Sequence, residues 1–173
     1  ESVIYAGLAS GGAFKTTDGG QHWMPIFDQQ AYLSIGQITL DPSNPETVYV
    51  GTGDPNVTGY PFIGDGLYKS TNGGASWSYI GLKETRIISS IVVHPTKPNT
   101  IWVGAMGLPF ERTADRGVYK TTDGGATWKK ALFVSNQAGV TDLVIDPFNP
   151  NILYAAFWDR IRSNKESIID GPH

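Results

Sequence analysis

The chain of 173 residues is 40% apolar and 17% charged, enough for one domain with a real core. It has no cysteine, which excludes disulfide frameworks, thiol catalysis and the usual zinc motifs, and no stretch nears the roughly 18 apolar residues of a membrane span. A formal charge of −3 supplies no basic field for a phosphate backbone and speaks against nucleic acid as a partner, while 21 glycines and 11 prolines call for many short elements joined by turns.

Taken in chain order, the first strands surround Gly7-Leu8-Ala9-Ser10-Gly11-Gly12, and Ala13-Phe14-Lys15 leads into Thr16-Thr17-Asp18-Gly19-Gly20-Gln21-His22-Trp23. An apolar run at 35–40 follows, then the turn Asp41-Pro42-Ser43-Asn44-Pro45 and a second run at 48–50. After a variable stretch, 51–66, come Leu67-Tyr68-Lys69 and Ser70-Thr71-Asn72-Gly73-Gly74-Ala75-Ser76-Trp77. The same order returns as a run at 87–93, His94-Pro95-Thr96-Lys97-Pro98, a run at 101–103, a variable stretch at 105–117, Val118-Tyr119-Lys120, and Thr121-Thr122-Asp123-Gly124-Gly125-Ala126-Thr127-Trp128. A last copy opens with 140–145, Asp146-Pro147-Phe148-Asn149-Pro150 and 152–155, and runs out after Trp158.

The tryptophans stand 54 and 51 residues apart and the proline turns 53 and 52. A unit of about 52 residues with four strands has the length and content of a propeller blade. The expected fold is therefore all-β, a β-propeller of four-stranded antiparallel blades. Blades are expected at about 1–33 (lacking its first strand), 34–86, 87–137 and 138–173 (first two strands only), thirteen strands in all. Such an open arc of about three blades reads as a fragment of a larger propeller, its other blades coming from the same or another chain.

The repeated tryptophan box has a mechanical explanation. Its paired glycines tolerate positive φ, and its Ser or Thr and its Asp or Asn can hydrogen-bond turn amides. The tryptophan can then bury its ring against a neighbouring strand or blade and give its N–H a partner at the turn. Thr16, Asp18, Gly20, Trp23, Ser70, Asn72, Gly74, Trp77, Thr121, Asp123, Gly125 and Trp128 are thus expected to be structural. His94 stands where Asp41 and Asp146 do and reads as a turn residue, and the scattered His22 and His173 give no metal spacing. Neither metal nor cofactor is implied.

The pattern Ser/Thr-x-Asp/Asn-Gly-Gly-x-x-Trp resembles the Asp-box, or BNR repeat, of sialidases, sortilin-like receptors and xyloglucan-cleaving enzymes of glycoside hydrolase family 74. The longer blade pattern is most similar to sortilin-like and family 74-like bacterial proteins. In that family a catalytic Asp stands in a segment matched here by residues 7–14, and its position is taken by Ala9. An alanine can neither donate a proton nor activate water. The resemblance implies ligand binding on the face that carries the loops between second and third strands, and an extracellular or periplasmic location.

Those loops supply the candidates. Asp54, Asp65, Glu111, Asp115 and Asp159 are candidate catalytic carboxylates by position, since glycoside hydrolysis needs two flanking the scissile bond. Tyr60, Phe62, Phe110, Arg112, Arg116, Trp158 and Arg160 are candidate binding residues, their aromatic and guanidinium groups suiting sugar rings, hydroxyls or peptide termini. With Ala9 in the acid position, the expected function is a non-catalytic binding or assembly scaffold for a glycan or protein partner. The alternative is a glycoside hydrolase acting on xyloglucan or a related β-glucan.

Overall fold

A blade's second strand has a neighbouring blade on each of its faces, so it needs apolar side chains on both rather than on alternate positions. Residues 101–105 (Ile-Trp-Val-Gly-Ala) and 47–52 are buried throughout, whereas the outermost strands are exposed. The computed structural model describes residues 2–56 and 62–161 and the backbone of 162 and 167–170. Its strands form four antiparallel sheets.

The first sheet holds β1 (Ile4–Leu8), β2 (Gly12–Thr16) and β3 (Met24–Pro25). The second holds β4 (Ile35–Asp41), β5 (Asn44–Thr52), β6 (Leu67–Ser70) and β7 (Ser78–Tyr79). The third holds β8 (Ile88–Val93), β9 (Ile101–Ala105), β10 (Gly117–Thr121) and β11 (Lys129–Leu132). The fourth holds β12 (Ala138–Ile145), β13 (Leu153–Arg162) and β14 (Ser167–Asp170). Within each, strands pair in chain order, which makes each sheet a meander. The one helical turn among the described residues is a 3-10 segment, Lys83–Thr85, in the crossover from the second blade to the third.

The described residues thus hold fourteen strands rather than thirteen, because β14 pairs with the end of β13 and gives the fourth blade a third strand. Ser167-Ile168-Ile169-Asp170 lacks the aromatic-lysine mark of the other third strands, so the repeat pattern did not announce it.

Three apolar cores lie between the blades. Ala13, Phe27, Ile35, Val50 and Tyr68 join the first to the second, with Phe27 edge-on to Tyr68 and Trp77. Tyr49, Leu67, Ile88, Ile91, Val93, Ile101 and Val103 join the second to the third, and Trp102, Val118, Val140 and Leu143 join the third to the fourth.

The proline turns close by side-chain caps. Asp41 accepts from the Ser43 amide at 2.8 Å and Asp146 from those of Phe148 and Asn149 at 2.8 and 2.9 Å. At the third copy His94 does this with Nδ1, which accepts from the Thr96 and Lys97 amides at 3.2 Å. A cross-strand pair recurs on the second and third strands: Tyr5 with Lys15, Tyr49 with Lys69, and Trp102 with Lys120, each ammonium 5.1 to 5.5 Å from the ring centre.

Candidate functional site

Each innermost strand carries an irregularity at the same place. Pairing slips between Ile35 and Gln37 in β4, between Ile88 and Ser90 in β8, and between Val140 and Asp142 in β12. An unpaired extra residue re-aims the side chains beside it. The residues at these bulges, Gly36-Gln37, Ser89-Ser90 and Thr141-Asp142, occupy equivalent positions of three successive repeats and line one cleft of about 680 Å³. We call it the axial cleft, since the three innermost strands meet there. Its remaining wall is Pro55 and Asn56 from the second blade, Met106 from the third, and Phe157 and Trp158 from the fourth.

Among the described residues of this lining Asp142 is the one carboxylate, and it is exposed. Its Oδ1 accepts from the Ser90 hydroxyl at 3.1 Å and from the Leu143 amide at 2.8 Å, which fixes the carboxylate across the boundary between the third and fourth blades. Gln37, Ser90 and Asp142 were not among the candidates drawn from the loops. Their signal was present in the sequence, as a polar or small pair one or two residues into each inner apolar run.

The loop arginines turn inward. Arg116 is fully buried and donates to the carbonyls of Met106, Leu108 and Glu111 at 2.7, 2.6 and 2.6 Å, curling the loop of 106–116 around its guanidinium. Burial first, then the nearby Arg112 and Arg160, push its pKa down to about 10, and Asp159 pulls it back up. It remains a cation at neutral pH, solvated by backbone dipoles. Arg112 pairs with buried Asp159 and also donates to the Gln137 carbonyl at 3.3 Å, joining this loop to the next crossover. Arg160, also buried, reaches the carbonyls of Pro55 and Asn56.

The carboxylate candidates separate into two groups. Asp54, Asp65 and Asp159 hold structure: Asp54 is fully buried and accepts from the Asn56 amide at 2.9 Å, and Asp65 accepts from the Tyr68 hydroxyl at 2.8 Å. Burial and that bond to Asp65 raise the Tyr68 pKa. Glu111 and Asp115 instead line a second depression of about 370 Å³ with Lys83, Glu84 and Arg86, near the mouth of the loop face. Leu82 and Arg86, flanking the 3-10 turn, have φ of 66° and 60°, a left-handed backbone that side chains rarely adopt. Phe62 and Phe110 are half exposed, and Tyr60 lies outside the described residues, as does the Arg162 side chain. Ala9 sits in the short turn joining β1 and β2, the connection between second and third strands of the first blade. Among the described residues no three His, Cys, Asp or Glu gather as metal ligands would.

The boxes close the opposite face. In the third, the Thr121 hydroxyl accepts from the Gly125 amide at 3.1 Å, while Asp123 accepts from the Thr127 amide at 2.9 Å and its hydroxyl at 2.6 Å. Thr16 with Asp18 and Ser70 with Asn72 repeat the arrangement. The Trp77 indole donates to the Ile26 carbonyl and that of Trp128 to Ile80, both at 2.7 Å and both in the preceding blade. Trp23 bonds its own turn, at Gly20, and is 41% exposed.

Known proteins share this architecture. An ancestral glycoside hydrolase family 74 enzyme superposes with a TM-score of 0.68 at 23% identity over 90% of this chain and 21% of its own. The family 74 enzyme of Niastella koreensis gives 0.64 at 21% over 98% and 27%. A structure of YCF48 bound to D1 peptide gives 0.57 at 18% over 84% and 42%. Among sequence relatives, the xyloglucanase Xgh74A of Acetivibrio thermocellus is 22% identical over 75% of this chain, and a xyloglucanase of Hypocrea jecorina 26% over 87%. The chain spans only 16% and 18% of those two relatives. The family model described as Sortilin-Vps10 (sortilin, neurotensin receptor 3) matches residues 11–152, so this open arc of four-stranded blades belongs to the Sortilin-Vps10 family.

Proposed function

We propose that this chain forms the glycan-binding wall of a propeller of the glycoside hydrolase family 74 type, acting on xyloglucan or a related β-glucan outside the cytoplasm, with further blades completing the ring. The observation that carries the proposal is the axial cleft. Three bulged inner strands turn an amide, a hydroxyl and a carboxylate toward one space walled by Trp158. Sugar recognition uses this combination, an aromatic face against the pyranose ring and polar groups for its hydroxyls. The xyloglucanase relatives supply the substrate class.

In this reading Trp158 stacks on a sugar ring, and Gln37, Ser90 and Asp142 bind hydroxyls. Hydrolysis takes two carboxylates, about 5 Å apart for retention or 6.5–9.5 Å for inversion. Asp142 is the carboxylate this cleft can offer, and its partner would come from a further blade. A specific observation favours the second reading, a non-catalytic binding scaffold: Ala9 stands in the acid position while Asp54, Asp65 and Asp159 are committed to structure.

The test is calorimetry with xyloglucan oligosaccharides, together with hydrolysis assays on xyloglucan, mixed-linkage glucan and sialosides, using the intact protein. Trp158→Ala is expected to weaken binding by about tenfold or more, in line with the worth of an aromatic platform. Turnover that Asp142→Asn abolishes while binding persists supports the enzyme. Binding without turnover supports the scaffold, and a protein that does neither sinks both.

A further inference from the structure

The wall of the axial cleft is assembled from blades that are not neighbours. The loop with Pro55 and Asn56 belongs to the second blade and Arg160 to the fourth, with the third between them. One Arg160 guanidinium nitrogen donates to the Pro55 carbonyl at 2.7 Å and the other to that of Asn56 at 2.8 Å. The first also lies 3.4 Å from the Met106 sulfur of the intervening blade. The same guanidinium stands 5.7 Å from the centre of the Trp158 ring. Pro55, Asn56, Met106 and Trp158 all line the cleft, while Arg160 is 4% exposed and does not.

We propose that Arg160 is the positioning residue of the axial cleft: its buried guanidinium clasps the second-blade loop to the fourth blade, sets the width of the opening, and holds Trp158 at its face. The inference rests on the reading that the axial cleft binds glycan. Two adjacent carbonyls taken by two nitrogens of one planar group is a geometry that only arginine supplies, because its donors are fixed in a fork. A lysine keeps the charge but, as a point charge, cannot reproduce the planar fork that meets both carbonyls while facing the ring. The clasp is therefore separable from charge by a single conservative change.

The experiment compares the intact protein with Arg160→Lys and Arg160→Met by amide hydrogen exchange and by calorimetry with a xyloglucan oligosaccharide. Exchange at the amides of Gly53, Asp54 and Asn56 is expected to accelerate about tenfold or more in both variants, while β5 and β9 exchange as before, and affinity is expected to fall by about tenfold even in Arg160→Lys. Where Arg160→Met fails to fold, the lysine variant carries the test. Unchanged exchange at 53–56 in Arg160→Lys overturns the clasp. Faster exchange with unaltered affinity overturns the positioning role. A wild-type protein that binds no xyloglucan oligosaccharide ends the glycan reading, and the exchange comparison still decides the clasp.

Discussion

At the scale of single residues, the box shows how one side chain acts at two levels. Sequence reasoning gave the tryptophan N–H a partner at its turn, which holds for Trp23 alone. Trp77 and Trp128 send theirs to Ile26 and Ile80 of the blade before. The residue types revealed a donor in need of an acceptor, and only the stacking of blades could say whose. Trp77→Phe should cost about 1–3 kcal/mol, since the half-buried ring still packs beside Phe27 but the Ile26 carbonyl loses its donor; Trp23→Phe should cost under about 0.5 kcal/mol. Denaturant midpoints of the two variants check this contrast.

The box acids give a pH dependence with a definite sign. Asp18 is held at about 2, chiefly by the His22 amide and the Thr16 hydroxyl, and Asp123 is lowered further by Thr121 and Thr127. The unfolded chain, with ordinary carboxyls, takes up protons first as pH falls. Their stabilisation is thus complete above about pH 4–5 and drains as pH drops toward 2. Asn72 in the middle box cannot titrate. Replacing Asp18 and Asp123 by Asn should flatten the urea midpoint between pH 5 and 2.5; a slope equal to the wild-type slope would count against this assignment.

At the scale of elements, the inner strands were legible as apolar runs but their bulges were not, because a bulge is a mismatch in pairing count between two strands. What the sequence did display, the pairs Gly36-Gln37, Ser89-Ser90 and Thr141-Asp142, was outweighed by the variable loops, whose arginines fold inward and hold carbonyls. Gly36 shows how tight the bulged geometry is. A β-carbon there would run into the Ile88 carbonyl and come within 2.6 Å of that of Gly53. Gly36→Ala should destabilise by about 2 kcal/mol or more, since backbone on both sides must give way. Circular-dichroism melts of this variant beside Thr39→Ala, whose hydroxyl donates to the Ile91 carbonyl at 3.1 Å, would set the steric cost against a single hydrogen bond.

At the scale of the molecule, the period of about 52 residues carried the architecture, and composition carried only its class. The fourth blade's third strand escaped because its sequence departs from the repeat. The end blades each present an unstacked face: Leu8, Trp23 and Met24 are 41–54% exposed at one end, Val144 and Tyr154 52% and 60% exposed at the other. Apolar surface of this kind seeks cover. The 173 residues expressed alone should self-associate in light scattering and lack a reversible melt, whereas a monodisperse monomer with a sharp reversible transition would refute this.

One contact gives the arc a direction. Lys15 of the first blade donates to the Gly73 carbonyl in the second blade's box at 3.0 Å, joined there by the Tyr5 hydroxyl at 3.2 Å. Lys69 approaches Gly124 of the third box in the same sense, its Nζ lying 3.6 Å from where a β-carbon on that glycine would be. At these two junctions the lysine reaches forward to the next box while that box's tryptophan reaches back, so each box is gripped by the blade before it in a series of nearest-neighbour couplings. Damage to a box should loosen the junction on its upstream side and leave the downstream junction intact.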